Sequence, residues 1–206
     1  MRSQAQEFFS GLQDTICSRL EEADGKAQFR EDNWQREGGG GGRTRVMEGG
    51  AVFEKAGVNF SAVAGTLPAE FAAKIGEGVV GAEGREFFAT GVSLVLHPYN
   101  PYVPTVHANF RYLEKGHASW FGGGSDLTPY YPFREDVVHF HQTLKDACDR
   151  HDANYYPRFK AWCDEYFFIK HRNETRGIGG IFFDYLQGDT EKIFAFVKEA
   201  GEAFLP

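Results

Sequence analysis

The sequence predicts a single α+β domain in which helices pack on an antiparallel sheet. Three observations carry that prediction. Of the 206 residues, 20 are Phe, 9 are Tyr and 25 are Gly, a pairing that favours strands packed through aromatic side chains and joined by tight turns. The centre of the chain strings strand-like runs together through short connections, as meandering neighbours do. Elsewhere, at both ends and over 134–170, apolar residues recur at helical spacing. No repeat or linker divides the chain, so residues 1–206 read as one domain with ample length for a core.

Taken in order, Ser3 and Gln6 have the spacing of a capping box. Phe9, Leu12, Ile16 and Leu20 then continue at helical spacing, with Gly25 as the stop. A first strand is expected over 27–36. The five-glycine run Gly38–Gly42 suggests a phosphate loop, but Arg43 stands where such a loop would carry its Gly-Lys-Ser or Gly-Lys-Thr, and a hairpin loop or lid is the plainer reading. Strands follow at 43–48 and 51–64, with Gly57 offering a bulge, and a short helix runs from Pro68 to Lys74. Runs 86–97 and 103–114 read as strands joined by a proline-rich turn, and a third run covers 117–121. Helices are expected over 134–149 and 155–170. After a strand at 179–185, Asp189 makes a good N-cap for a last helix carrying Ile193, Val197, Ala200 and Phe204.

Composition narrows the function. A net charge of −7 argues against non-specific nucleic-acid or anionic-membrane binding, so cations for an anionic ligand must be local. Cys17, Cys148 and Cys163 lack CxxC spacing and read as reduced packing thiols of a cytoplasmic protein. No secretory leader and no run of membrane-span length are visible.

Period two makes the central strands informative. In 103–112, Thr105, His107, Asn109 and Arg111 share one face, while Val106, Ala108, Phe110 and Tyr112 share the other. Ser93, Val95 and His97 share a face of the preceding run, and pairing of the two lines one cleft with polar groups. Rows of this kind are also commonplace on solvent-facing sheets. His97, His107, His141 and His171 are four inward candidates whose convergence would suit a divalent metal, though none has compact ligand spacing and a core imidazole is the plainer reading. Asp126, after Gly122-Gly123-Gly124-Ser125, reads as a carboxylate on a glycine-rich turn, held toward a ligand or closing an Asx-turn. From Lys160 to Asp184 an aromatic helix passes through the polar knot His171–Arg176, breaks at Gly177, Gly179 and Gly180, and re-emerges as Ile181-Phe182-Phe183.

At these residues the chain resembles the oxygen-dependent coproporphyrinogen III oxidases. The stretch 160–184 is similar to their signature, as are WQREGGGGGRTRVMEGGAVFEKAGVNFS (34–61), VSLVLHPYNPYVPTVHANFR (92–111) and WFGGGSDLTPYYPF (120–133). The resemblance implies a large antiparallel sheet flanked by helices on both faces. It also implies conversion of two propionates of coproporphyrinogen III to vinyl groups, with molecular oxygen as co-substrate and no organic cofactor, giving protoporphyrinogen IX in haem biosynthesis. His107 then matches a proton donor and Asp126 an acid facing the pyrrole N–H groups. Ser93, the segment Asn109–Phe110–Arg111 and Arg176 match substrate contacts, and His97, His107, His141 and His171 match histidines described as metal ligands. A homodimer without integral membrane association is the expected assembly. Members of the family continue beyond the position of Pro206 into strands that complete the sheet, so an unpaired edge is expected here. Two other readings remain: a porphyrinogen-binding fragment without turnover, and an α+β protein that binds metal through its histidines.

Overall fold

The computed structural model describes residues 1–205. Among these, seven strands form one antiparallel sheet whose spatial order is the chain order. They are β1 (Arg30–Gln35), β2 (Gly40–Glu48), β3 (Phe53–Thr66), β4 (Glu86–Pro98), β5 (Thr105–Lys115), β6 (Ala118–Thr128) and β7 (Gly179–Leu186). The helices are α1 (Arg2–Asp24), α2 (Ala69–Lys74), α3 (Arg134–Asp149), α4 (Tyr155–Tyr166) and α5 (Thr190–Glu202).

One face of the sheet is the main core. Val58, Leu94, Ala108 and Phe110 lie on it at period two, all buried, beneath Phe9, Leu12 and Ile16 of α1. Phe194 of α5 stacks on Phe121 of β6 with ring centroids 5.7 Å apart. Leu144 and Cys148 bring α3 into the same cluster. The opposite face carries a smaller core, where Ile75, Val79 and Ala82 of the α2 region pack on Leu113 and Trp120. Buried Lys115 there donates to the carbonyls of Ala72 and Ile75 at the C-terminal end of α2. Helices therefore lie on both faces. α4 sits at the β7 margin, where Phe159 meets Phe183, and Trp162 and Tyr166 meet Phe182. As strand neighbours, Phe182 and Phe183 point to opposite faces.

α1 ends at Gly25 with φ 69°, the left-handed stop that glycine adopts freely. Its last residue, Asp24, is 4% exposed and accepts from the backbone amides of Lys26, Ala27, Ala51, Val52 and Phe53. Burial alone raises a carboxyl pKa, but these bonds outweigh it and hold Asp24 below the usual carboxylate range. The carboxylate thus ties α1 to the β2–β3 turn, and no side chain fits at Gly50 beside it.

Several local expectations need correcting. Met1 occupies the cap position of α1 without a side-chain bond, so Ser3 and Gln6 do not form a capping box. Gly40–Gly42 belong to β2 rather than to a loop. The irregularity in β3 lies between Phe53 and Lys55, not at Gly57. α4 stops at Tyr166 instead of 170, and β6 runs on through the glycines to Thr128. Asp189 does cap α5, accepting from the amide of Lys192 at 3.2 Å.

Candidate active site

β5, β6 and β7 carry a row of polar residues on the face opposite the main core. Register sets His107 beside Asp126 and Asp126 beside Gly180. One step on, Asn109 pairs with Gly124, which pairs with Phe182. Arg111 pairs with Gly122. With Gly123, Tyr166 and Phe167, the residues His107, Asn109, Arg111, Gly124 and Phe182 line a cavity of about 250 Å³.

Asp126 is the anchor. It is 2% exposed, and both carboxylate oxygens are engaged. The Arg176 fork donates Nε to Oδ2 and Nη2 to Oδ1, each at 2.7 Å, while His107 Nδ1 lies 2.8 Å from Oδ1. Burial pushes the Asp126 carboxyl up, but the hydrogen bonds and charges of His107 and Arg176 outweigh it and hold it below the usual carboxylate range. An ionised carboxylate only accepts, so it selects the His107 tautomer with hydrogen on Nδ1 and leaves Nε2 as the ring's free nitrogen. The Phe167 ring braces the opposite side, 3.7 Å from the Arg176 guanidinium carbon and edge-on to His107 at 5.9 Å.

Arg111 is held independently. Its Nη1 donates to Asn109 Oδ1 and its Nη2 to Asp184 Oδ2, both at 2.7 Å. To reach Asp184 on β7 the side chain crosses β6 at Gly122. A Cβ at Gly122 would stand 2.8 Å from Arg111 Nε and 2.6 Å from Asp184 Oδ1, so glycine is required there.

His107, Asn109, Arg111, Asp126 and Arg176 are brought together, with Ser93 one strand away opposite Asn109. Three expectations need correction. Phe110 is 1% exposed and points into the core, because strand alternation turns it from its neighbours. Asp126 is on a strand, not a turn, and is covered by His107 and Arg176 rather than open to the cleft. The four histidines do not converge. His97 lies exposed at the end of β4, and His171 is exposed in the turn closed by the Ile169–Glu174 bridge. His141 has Nε2 on the Ile178 carbonyl at 3.1 Å and Nδ1 on the Tyr156 hydroxyl at 2.9 Å. Burial lowers its pKa, only partly offset by the Ile178 bond. No group of three or more His, Cys, Asp or Glu among the described residues is arranged to hold a metal, so these side chains do not fit a four-histidine centre. The three thiols are buried, and burial pushes Cys17 up to about 11 and Cys148 and Cys163 up to about 12.

Sequence reasoning did not assign Tyr166, Phe167, Phe182 or Asp184 to the site. The alternation Gly180, Phe182, Asp184 is the signal that places the last two on this face.

A family model described as coproporphyrinogen III oxidase matches residues 4–206. Three relatives named oxygen-dependent coproporphyrinogen-III oxidase come from Prochlorococcus marinus. That of strain AS9601 is 47% identical over 232 residues, covering 100% of this chain and 67% of its own. That of strain MIT 9301 is 53% identical over 203 residues, covering 98% and 58%. That of strain NATL1A is 47% identical over 232 residues, covering 100% and 66%. The chain thus spans roughly three-fifths to two-thirds of these relatives' length. No described helix is long and apolar enough to cross a membrane.

Proposed function

Because this chain belongs to the coproporphyrinogen III oxidase family, we propose that its cleft carries out oxygen-dependent oxidative decarboxylation of coproporphyrinogen III to protoporphyrinogen IX in haem biosynthesis. The observation that carries the reading is the joined set His107–Asp126–Arg176 beside the separately clamped Arg111. In each of two steps a propionate side chain loses carbon dioxide and a hydride equivalent, becoming vinyl. Oxygen accepts that hydride and, with a proton, leaves as hydrogen peroxide.

The residues divide the work by geometry. His107 faces the ligand, and its Nε2 takes a pyrrole N–H proton, raising the electron density of the ring toward oxygen, and returns it to the nitrogen once carbon dioxide has left. Asp126 does not touch the ligand in this reading. It fixes the His107 tautomer and stabilises the imidazolium that forms. Arg111 offers its guanidinium to a propionate, with Asn109 and Asp184 holding its orientation. Phe167, Tyr166 and Phe182 give the cleft an apolar wall. The cytoplasm, a homodimer and chemistry without an organic cofactor belong to the same proposal.

A second reading is binding of the porphyrinogen without turnover, favoured by Arg111 and Arg176 each being already paired, with Asp184 and Asp126. Anaerobic titration followed by oxygen separates the two. The enzyme yields protoporphyrinogen, fluorescent after oxidation, whereas a binding protein holds the ring without product. Absence of both binding and product would overturn the assignment.

A further inference from the structure

The cavity beside Arg111 is one end of a longer surface. On the same face, register continues from Arg111 through Gly91, Ser61 and Gly42 to Trp34. The adjacent lane runs from Asn109 through Ser93, Asn59 and Thr44 to Asp32. Glycine and small polar residues therefore floor the sheet across four strand spacings, about 19 Å. Trp34 walls the far side, 38% exposed, with its indole lying across Gly42 where a Cβ would collide with it. Asn59 is exposed, Ser61 and Ser93 are half-buried, and their side chains make no hydrogen bond to another described residue. Arg36 closes one end. Its guanidinium stands 5.5 Å from the Phe87 ring centroid and makes no ion pair among the described residues. Phe87 lies four residues along β4 from Gly91, about 14 Å away by strand rise.

We propose that this trough is the bed for the body of the tetrapyrrole. Asn59 and Ser61 lie under the macrocycle, Trp34 is its far wall, and Arg36 is the cation for a carboxylate remote from Arg111. The proposal rests on the functional reading above and extends it to residues outside the cavity. Charge selects the occupant. A ring with carboxylates spread around its rim needs separated cations, and here two guanidiniums face one trough floored by uncharged polar groups. Asp32 sits on this face at the β1 margin, so a carboxylate is directed to Arg36 rather than to that corner. The flat, small-residue floor accepts a broad ring and leaves its open N–H groups within reach of Asn59 and the serines.

The test is equilibrium binding of coproporphyrin III, the air-stable ring with the same four propionates, followed by fluorescence. Wild type, Ser61→Leu, Arg36→Gln and Arg111→Gln are compared, with circular dichroism confirming the fold of each. Ser61→Leu adds bulk on the open face without entering the core and is expected to weaken binding about tenfold or more. Arg36→Gln is expected to weaken it about threefold or more and to flatten its salt dependence. If both stay within about twofold of wild type while Arg111→Gln binds poorly, the trough is refuted and the functional reading stands. If the wild-type chain does not bind the ring, both fall.

Discussion

Asp126 sits at the junction of three dependencies: the tautomer of His107, the orientation of Arg176 and the closure of the β5–β6–β7 corner. Asp126→Asn keeps the shape but offers one acceptor where the fork and the imidazole need two. Turnover is expected to fall about 100-fold or more, with a smaller change in KM. Because its folded pKa is lowered, the stability it contributes is present above the unfolded value of about 3.9 and is lost as pH falls through the folded value. The Asn side chain has no such titration. Stability should therefore fall less steeply below about pH 4 in Asp126→Asn than in wild type, as read by denaturant titration across that range. Phe167→Leu removes the ring from Arg176 and is expected to cost about 1 kcal/mol of binding or stability, read by titration and thermal melting. Much of this constellation was legible beforehand, since period two alone put His107, Asn109 and Arg111 on one face. The placing of Asp126 was not, because a run of three glycines carries the same signal whether it turns the chain or lets large side chains cross a strand.

At the scale of elements, small side chains and buried carboxylates set how strands and helices meet. Gly122→Val should displace the Arg111–Asp184 pair while leaving the fold intact, so porphyrin affinity falls about tenfold and the melting temperature little. Asp24→Asn should destabilise the chain by about 1–3 kcal/mol, because several backbone amides lose an anionic acceptor. That loss should shrink as pH drops below about 4, since wild type itself forfeits the contribution once Asp24 is protonated. Denaturant titrations at neutral and acid pH read both effects. The strands and the long helices were visible from hydrophobic spacing. Their ends were not: β6 passes unbroken through Gly122–Gly124, and α4 stops at Tyr166 although apolar residues continue to Ile169. Where the helix stops decides the fate of His171, which spacing sent inward and the turn leaves in solvent. His141 was rightly placed inward, but its two ring nitrogens are spent on Ile178 and Tyr156, partners too remote in sequence for any local pattern to reveal.

Over the whole molecule, one aromatic knot joins the layers: Phe159 of α4 touches Phe183 of β7 and Phe196 of α5. Phe159→Ala should cost about 3–5 kcal/mol in unfolding free energy and loosen the cleft wall together with the core. The sheet also has an uneven connectivity. All six ladders join consecutive strands, but the first five close over short connections, the longest being residues 67–85, whereas the sixth joins β6 to β7 across residues 129–178. Arg176, just before β7, bonds Asp126 beside that last ladder. Loop-closure entropy makes the distant pairing the slower one to form and the easier one to open. Amide hydrogen exchange should accordingly show β7 and the 176–180 segment opening below the free energy of global unfolding, with β3–β5 protected to the end. The carboxylate–guanidinium lock should then form late in folding, and a ligand held in the cleft lined by Phe182 should protect β7 from opening.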